Sequence, residues 1–157
     1  MALEIERKFL VISDSWKKVA DTGQAMHQGY LTQAPPAESS IRVRIEGEVA
    51  RLNIKAAVVG TTRAEYEYQI PLDDGLNILR TLCAGRVVEK TRYRIPADPH
   101  VWEVDVFEGA NAGLVVAEIE LSAEDESFDQ PEWLGEEVTQ DIRYYNNQLA
   151  SQPYASW

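Results

Sequence analysis

The sequence predicts a mainly β (α+β) fold, an eight-stranded antiparallel closed barrel with a few flanking helices, one of them at the carboxyl terminus. Two observations predict it. Extended segments dominate the 157-residue chain and occupy about half of it, and turn-forming residues join them through short connections. Short connections favour antiparallel neighbours, and eight strands joined in this way favour a closed sheet. No linker or repeat divides the chain, so we expect a single domain over residues 1–157.

The predicted strands alternate polar and apolar side chains with a period of two. In chain order they are Leu3–Ile12, Gln24–Gln33, Ser40–Glu46, Val49–Val58, Thr62–Pro71, Gly85–Pro96, Val101–Glu108 and Gly113–Leu121. Turn residues stand at most of the joints: Pro35, Pro36, Gly47, Gly60, Pro96–Pro99 and Gly109–Gly113. Gly47 predicts a tight hairpin between the third and fourth strands.

Three segments have helical character. Asp14–Val19 is short, and Asp73–Cys83 begins with carboxylates, which suit a helix amino terminus. In the latter, Leu76, Leu79 and Cys83 fall on one face, so we expect Cys83 to pack in the core. The third segment, Asp141–Ala150, follows Thr139 as a predicted cap.

Composition excludes several classes of function. The chain has 26 acidic against 15 basic residues and a net charge of −11, which disfavours nucleic-acid and anionic-membrane surfaces because both need a positive field. A single cysteine rules out an internal disulfide. Charged residues interrupt the amino-terminal apolar run and no long apolar run follows, so we expect a soluble, cytoplasmic protein.

Charged side chains recur at every second position of the predicted strands and therefore share one face. Their signs are segregated along the chain. Basic residues gather on the third, fourth and sixth strands, at Arg42, Arg44, Arg51, Lys55, Lys90, Arg92 and Arg94. Acidic residues gather on the first, seventh and eighth strands, at Glu4, Glu6, Glu103, Asp105, Glu118 and Glu120, while the first also carries Lys8 and the fifth Arg63, Glu65 and Glu67.

Two interpretations of this face remain open. Ordinary solvated strand faces would explain any single strand, since half-buried strands alternate by default. The whole set favours an internal charged cavity, because like charges at this spacing repel unless a ligand of opposite sign lies between them. Arg51, Arg63 and Arg94 share the phase of the set, and fit a surface position at a strand end equally well.

The mixture of charges indicates the chemistry of such a cavity. Convergent guanidinium and ammonium groups suit phosphate oxygens, and clustered carboxylates suit Mg²⁺ or Mn²⁺. Together they are typical of a metal–polyphosphate site. No GxxxxGK loop, GxSxG elbow or Cys/His zinc spacing is present, and we expect His27 and His100 to lie outside the cavity.

An ordered set of motifs resembles the triphosphate tunnel metalloenzymes, the CYTH superfamily. Glu4-Ile5-Glu6-Arg7-Lys8 resembles the ExExK signature of that family, and further segments resemble its successive strands in order. These are Gln28–Leu31, Arg42–Arg44, Glu65–Glu67, Val88–Tyr93, Glu103–Phe107, Glu118–Glu120 and the tail Gly135–Thr139 with Asp141, Arg143, Tyr144 and Asn146. The set covers nearly the whole chain and is most similar to the small bacterial inorganic triphosphatases.

The resemblance implies a charged tunnel in which inorganic triphosphate, a small molecule, is hydrolysed to pyrophosphate and phosphate with Mg²⁺ or Mn²⁺. It implies substrate binding by Lys8, Tyr30, Arg42, Arg44, Lys55, Lys90 and Arg92. It implies metal binding by Glu4, Glu6, Glu103, Glu118 and Glu120, with Lys8, Glu65, Glu67 and Asp105 as the catalytic set. The tail helix is expected to cover one mouth of the tunnel.

Rival functions stay open at this point. The substrate could be a nucleoside or thiamine triphosphate, or the protein could make a cyclic nucleotide as class IV adenylyl cyclases do. A non-catalytic polyphosphate-binding module would use the same cavity. An apolar-ligand barrel would need its inward face to be apolar. The oligomeric state is not indicated by the sequence.

Overall fold

The structure, a computed structural model, describes residues 2–157 and is built on nine strands in one sheet. The strands are β1 (Leu3–Val11), β2 (Gln24–Tyr30), β3 (Ser39–Glu46), β4 (Val49–Ala56), β5 (Thr62–Ile70), β6 (Val87–Ala97), β7 (His100–Phe107), β8 (Val115–Glu120) and β9 (Leu134–Glu137). Two α-helices accompany them, α1 (Leu72–Thr81) and α2 (Asn146–Leu149). Short 3₁₀ helices lie at Ser15–Lys18, Gly109–Asn111, Ile142–Tyr144 and Tyr154–Ser156.

The first eight strands close into an antiparallel barrel. Their order is β5-β4-β3-β2-β6-β7-β8-β1, and β1 returns to pair with β5 through Leu3 opposite Ala64 and Ile5 opposite Thr62. Because every neighbour is antiparallel and the ends meet, this part of the chain confirms the predicted closed barrel. None of the helices in residues 2–157 is long and apolar enough to cross a bilayer.

The ninth strand was absent from the sequence prediction. β9 pairs with the second half of β1, where Phe9 lies opposite Glu137 and Val11 opposite Leu134. β9 pairs along the same edge of β1 as β5 does, but β5 pairs with the beginning of β1 and β9 with its end. Four residues containing a glycine and two glutamates carry no alternation strong enough to predict a strand.

The predicted tail helix is wrong in detail. Over Asp141–Ala150 the structure has a 3₁₀ turn followed by α2, and Tyr145 between them has extended backbone angles. The Tyr145 hydroxyl donates to the Thr139 carbonyl oxygen at 2.8 Å and accepts the Gly60 N–H at 3.0 Å, which fixes this break. The predicted cap is also different, since the Asp141 side chain accepts the Arg143 N–H.

The apolar core lies outside the barrel wall, so the inner face is free to carry charges. Phe9 and Trp133 both pack edge-on against Trp102, with ring centroids 5.7 Å and 5.6 Å away. On another side, α1 covers β3 and β4, and Cys83 is fully buried as predicted. Leu76, which the helical spacing placed on the buried face, is exposed, because the closest approach of α1 is made by Gly75.

Gly75 sets how closely α1 approaches the barrel. A Cβ atom at this position would lie 2.5 Å from the Ala50 Cβ and 3.0 Å from the Ile45 Cδ1. We therefore expect Gly75→Ala to lower the free energy of unfolding by about 1–3 kcal/mol, although alanine is intrinsically the better helix former. Urea denaturation of Gly75→Ala, Ala50→Gly and the double variant measures the coupling. A stabilised Gly75→Ala protein would contradict this account of α1.

Candidate active site

The inner face of the barrel encloses a polar cavity of about 250 Å³. Side chains from all eight barrel strands and from the tail line it. Fourteen of the fifteen site residues predicted from the sequence are among them: Glu4, Glu6, Lys8, Tyr30, Arg42, Arg44, Lys55, Glu65, Glu67, Lys90, Arg92, Glu103, Glu118 and Glu120. Asp105 does not line the cavity, and neither histidine does. The roles of the fourteen stay predictions.

Strand register explains why charges from distant parts of the sequence meet. Glu6 lies opposite Glu120, and Lys8 opposite Glu118, which in turn lies opposite Glu103 on β7. Directly opposite residues point to the same face of a sheet. The period-two charges of β1, β7 and β8 therefore form one acidic wall, in which Lys8 lies 3.5 Å from Glu118.

Asp105 on β7 holds two cations of the neighbouring strand β6. Its carboxylate accepts from the Lys90 Nζ at 2.7 Å and from the Arg92 Nε and Nη2 at 2.8 and 2.9 Å. Burial opposes its ionisation, but the charges of Arg92 and Lys90 prevail and lower the pKa of Asp105. Burial, aided by Arg92, lowers the pKa of Lys90 to about 8 even beside Asp105. Asp105 thus lies outside the cavity lining, in contact with two cations that belong to it, and its predicted catalytic role stays a prediction.

Glu4 is neutralised by two cations from neighbouring strands. Its carboxylate accepts from the Lys55 Nζ at 2.9 Å and from the Arg63 Nε at 2.8 Å. Burial opposes the charge of Glu4, but Lys55 and Arg63 lower its pKa well below the usual range. Arg63 and Arg94, which the sequence left open, line the cavity, whereas Arg51 lies outside the lining and contacts Glu46.

The described part of the protein leaves the charge of Arg42 unbalanced and balances that of Arg44 only through Glu67 at 3.9 Å and Glu46 at 4.0 Å. Arg42 is buried, and among residues 2–157 no carboxylate lies within ion-pair distance of it. The Nε atoms of both arginines are buried and have no acceptor among the described residues. Burial and the charges of Arg42 and Arg92 lower the pKa of Arg44 to about 10. An anion with several oxygens would satisfy these donors.

Three carboxylates of the cavity carry negative charge that nearby cations do not fully neutralise. Burial and the charges of Glu118 and Glu4 raise the pKa of Glu6 to about 8, and burial with the charges of Glu4 and Glu103 raises that of Glu120. Burial and a hydrogen bond with Glu4 raise the pKa of Glu65 to about 7. These oxygens suit a hard cation. Within residues 2–157, however, no three acidic, histidine or cysteine groups form a ready-made metal-binding cluster.

Sequence reasoning assigned no role to several amide and aromatic residues of the site. Asn53 is buried and donates to Glu65 at 2.8 Å and to Glu67 at 3.2 Å, so it holds the two carboxylates together. The alternation along β4 puts Asn53 on the same face as Lys55, and this pattern could have identified it from the sequence. Asn146 accepts from the Lys90 Nζ at 3.0 Å, and the Tyr145 ring lies 4.7 Å from the Lys8 Nζ. Tyr145 follows the helical spacing of the tail and Asn146 belongs to the tail motif of the family resemblance, but neither signal indicates a place in the cavity, because the segment is irregular.

The tail therefore lines one end of the cavity. Besides Tyr145 and Asn146, the Tyr144 carbonyl oxygen accepts from the Lys8 Nζ at 3.3 Å. Asn147 also lines the cavity and is fixed by a hydrogen bond to the Ala34 carbonyl at 2.9 Å. These contacts agree with the expectation that the tail covers one mouth.

Comparisons with known proteins give a consistent result. A family model described as the CYTH domain matches residues 2–154. An inorganic triphosphatase of Acetivibrio thermocellus is 43% identical over 157 residues, covering 100% of this chain and 99% of the relative. An inorganic triphosphatase of Nitrosomonas europaea is 40% identical over 151 residues, covering 94% and 96%. The crystal structure of the inorganic triphosphatase NE1496 is similar at a TM-score of 0.66 and 36% identity, covering 96% of this chain and 95% of that one.

The buried position of Asp105 generates a stability prediction. Asp105→Asn leaves Lys90 and Arg92 short of a buried counter-charge, so we expect a loss of about 3–5 kcal/mol in the free energy of unfolding. Urea denaturation measures it. The matched control is Glu103→Gln, whose more exposed carboxylate contacts Arg92 at 3.3 Å and is expected to contribute about 1 kcal/mol or less. Equal losses in the two variants would contradict the special position of Asp105.

Proposed function

Because this chain belongs to the CYTH domain family, we propose that it hydrolyses inorganic triphosphate to pyrophosphate and orthophosphate inside the barrel. The observation that carries the proposal is the pair of buried Nε donors on Arg42 and Arg44 that lack acceptors and face a polar cavity. Two relatives that match nearly the whole chain are named inorganic triphosphatases, which supports the same reaction.

We propose that the basic residues lining the cavity bind the substrate. Arg42 and Arg44 offer planar donors for phosphate oxygens, and Arg92 and Lys90 extend the basic wall from β3 to β6. We assign the same role to Lys8, Lys55 and Tyr30. Because Asp105 and Asn146 already orient Lys90, a bound phosphate meets donors in place, and little reorganisation is needed.

Hydrolysis requires an in-line water. The water oxygen forms a bond to a terminal phosphorus while the phosphoanhydride bond to the middle phosphate breaks, which releases orthophosphate and pyrophosphate. We assign the orientation of this water to Glu65 and Glu67, which Asn53 holds in place. With a pKa near 7, Glu65 can accept the proton that the water loses. Attack is direct, so the reaction has no phospho-enzyme intermediate.

The acidic wall suits a divalent cation. Glu6 and Glu120 lie opposite each other, and in the described residues neither side-chain carboxylate makes a hydrogen bond or ion pair. We propose that they hold Mg²⁺ or Mn²⁺ together with Glu4, Glu103 and Glu118. When bound, such an ion neutralises phosphate charge and polarises the reacting phosphoryl group. The raised pKa values of Glu6 and Glu120 are the features a cation would relieve.

The size of the cavity favours a small substrate. Its volume of about 250 Å³ lies below the roughly 300–1,000 Å³ typical of pockets that enclose a drug-sized ligand. A second, more open cavity of about 540 Å³ shares Arg94, Glu103 and Glu120 with the first. A nucleoside could lie there, so a nucleoside triphosphatase is the second candidate. A cytoplasmic location and the absence of nucleic-acid and membrane partners stay predictions from the acidic composition.

Substrate and binding residues can be tested together. We expect phosphate release from inorganic triphosphate to exceed that from ATP by at least about tenfold in kcat/KM. Arg42→Ala should reduce kcat/KM for triphosphate by about 100-fold or more, because a charge-assisted contact is lost. Arg80→Ala, at an exposed position on α1 and outside the cavity lining, is the control. Faster turnover of ATP would favour the second candidate, and equal effects of the two substitutions would remove the arginine assignment.

Metal binding can be tested without an activity assay. We expect Mg²⁺ or Mn²⁺ to raise the melting temperature of the wild-type protein by a few degrees, through preferential binding to the folded state. Glu6→Gln and Glu120→Gln should remove most of that shift. Glu48→Gln, at an exposed turn position, should preserve it. A shift that persists in both site variants would place the cation elsewhere.

A further inference from the structure

One segment of the barrel wall has an unpaired edge. β5 pairs with β4 along Glu65–Ile70, but β1 accompanies β5 only over Thr62–Ala64. Among residues 2–157, no strand lies beside Tyr66–Ile70 on the side away from β4. An unpaired strand edge is a template for pairing with another chain.

Hydrogen-bond alternation shows which backbone groups face this edge. The Glu65 N–H donates to the Ala2 carbonyl oxygen at 3.1 Å, so odd-numbered residues of β5 point their N–H and C=O groups away from β4. Glu67 and Gln69 are the next two, and none of their backbone groups bonds to the rest of the described chain on that side. Tyr66–Ile70 contains no lysine and no proline, and its one charged residue, Glu67, faces the cavity.

The outer face beside this edge is apolar and uncharged. On β5 it presents Ala64, Tyr66 and Tyr68, and the neighbouring positions of β4 are Leu52 and Ile54. Tyr66 and Tyr68 are 43% and 57% exposed. In a chain with a net charge of −11, a neutral strand face is where a second copy meets the least repulsion.

We propose that the β5 edge pairs with the β5 edge of a second copy of this chain, antiparallel across a two-fold axis at Tyr68. Tyr68 then faces Tyr68 of the second copy, Tyr66 faces Ile70, and Glu67 faces Gln69. Each Glu67–Gln69 pair exchanges two backbone hydrogen bonds, and the tyrosines form the close, non-hydrogen-bonded pair between them. The inference rests on the fold and does not depend on the proposed reaction.

The neighbouring registers are disfavoured by charge and by backbone chemistry. A two-fold axis at Glu67 would oppose two carboxylates and would need the Glu65 N–H, which Ala2 already uses. An axis at Gln69 would pair Glu67 with Pro71, which has no N–H to donate. At Tyr68, by contrast, the Gln69 amide lies opposite a carboxylate and can donate to it. This self-complementarity favours a second copy over an unrelated strand.

Sedimentation of the full chain tests the association. The contact is small, so we expect a reversible dimer that forms between about 10 µM and 1 mM protein and strengthens with salt, because the copies carry like charge. Tyr68→Lys and Gln69→Pro should each raise the dimer dissociation constant at least about tenfold. Gln69→Pro spares the bonds to β4, since its N–H faces away, and circular dichroism verifies the fold. Val101→Lys, at an exposed position on β7, is the control.

Cross-linking tests the register. Tyr68→Cys should form an intermolecular disulfide under mild oxidation by air and a copper catalyst, and a mixture of Tyr66→Cys with Ile70→Cys should form a mixed disulfide. Native Cys83 is buried and is not expected to react. Tyr66→Cys alone should cross-link far less than Tyr68→Cys. A wild-type protein that stays monomeric up to about 1 mM, or a dimer that both edge variants leave unchanged, would overturn the proposal.

Discussion

The Asp105 carboxylate, which bonds to Lys90 at 2.7 Å and to Arg92 at 2.8 and 2.9 Å, shows how this barrel tolerates an interior of ions. Removing charged groups from water is costly unless partners and hydrogen bonds compensate them. Asp105 provides that compensation on β7, and Glu4 provides it for Lys55 and Arg63 at the junction of β1, β4 and β5. Without such pairs, the alternation that turns apolar side chains outward would place unpaired charges inside.

The compensation is incomplete at two places, and these places give the cavity its chemistry. Arg42 and Arg44 keep buried donors without acceptors on one wall, while Glu6 and Glu120 keep carboxylates without cations on the other. A protein that needed the cavity only for stability would gain by pairing these groups with each other. Their separation leaves room for an anion and a cation together, which is the demand that a metal-bound triphosphate makes.

Strand periodicity predicted which face of the sheet a side chain occupies much better than whether that side chain lines the cavity. Glu103 and Asp105 share one phase, yet one carboxylate lines the cavity and the other lies behind Lys90 and Arg92. Arg51 and Arg63 divide in the same way, because position along the barrel axis depends on strand stagger, which no single strand encodes. β9 and the extended Tyr145 could not be predicted either, since tertiary contacts determine both.

The pairing of β1 has a bearing on how the chain folds during synthesis. β1 lies between β8 and, in turn, β5 and β9, so two of its partners come much later in the sequence. The cavity is completed by Tyr145 and Asn146, which come later still. Such long sequence separations make folding slow. During synthesis the charged face of β1 therefore stays in water until β8 and β9 have been made.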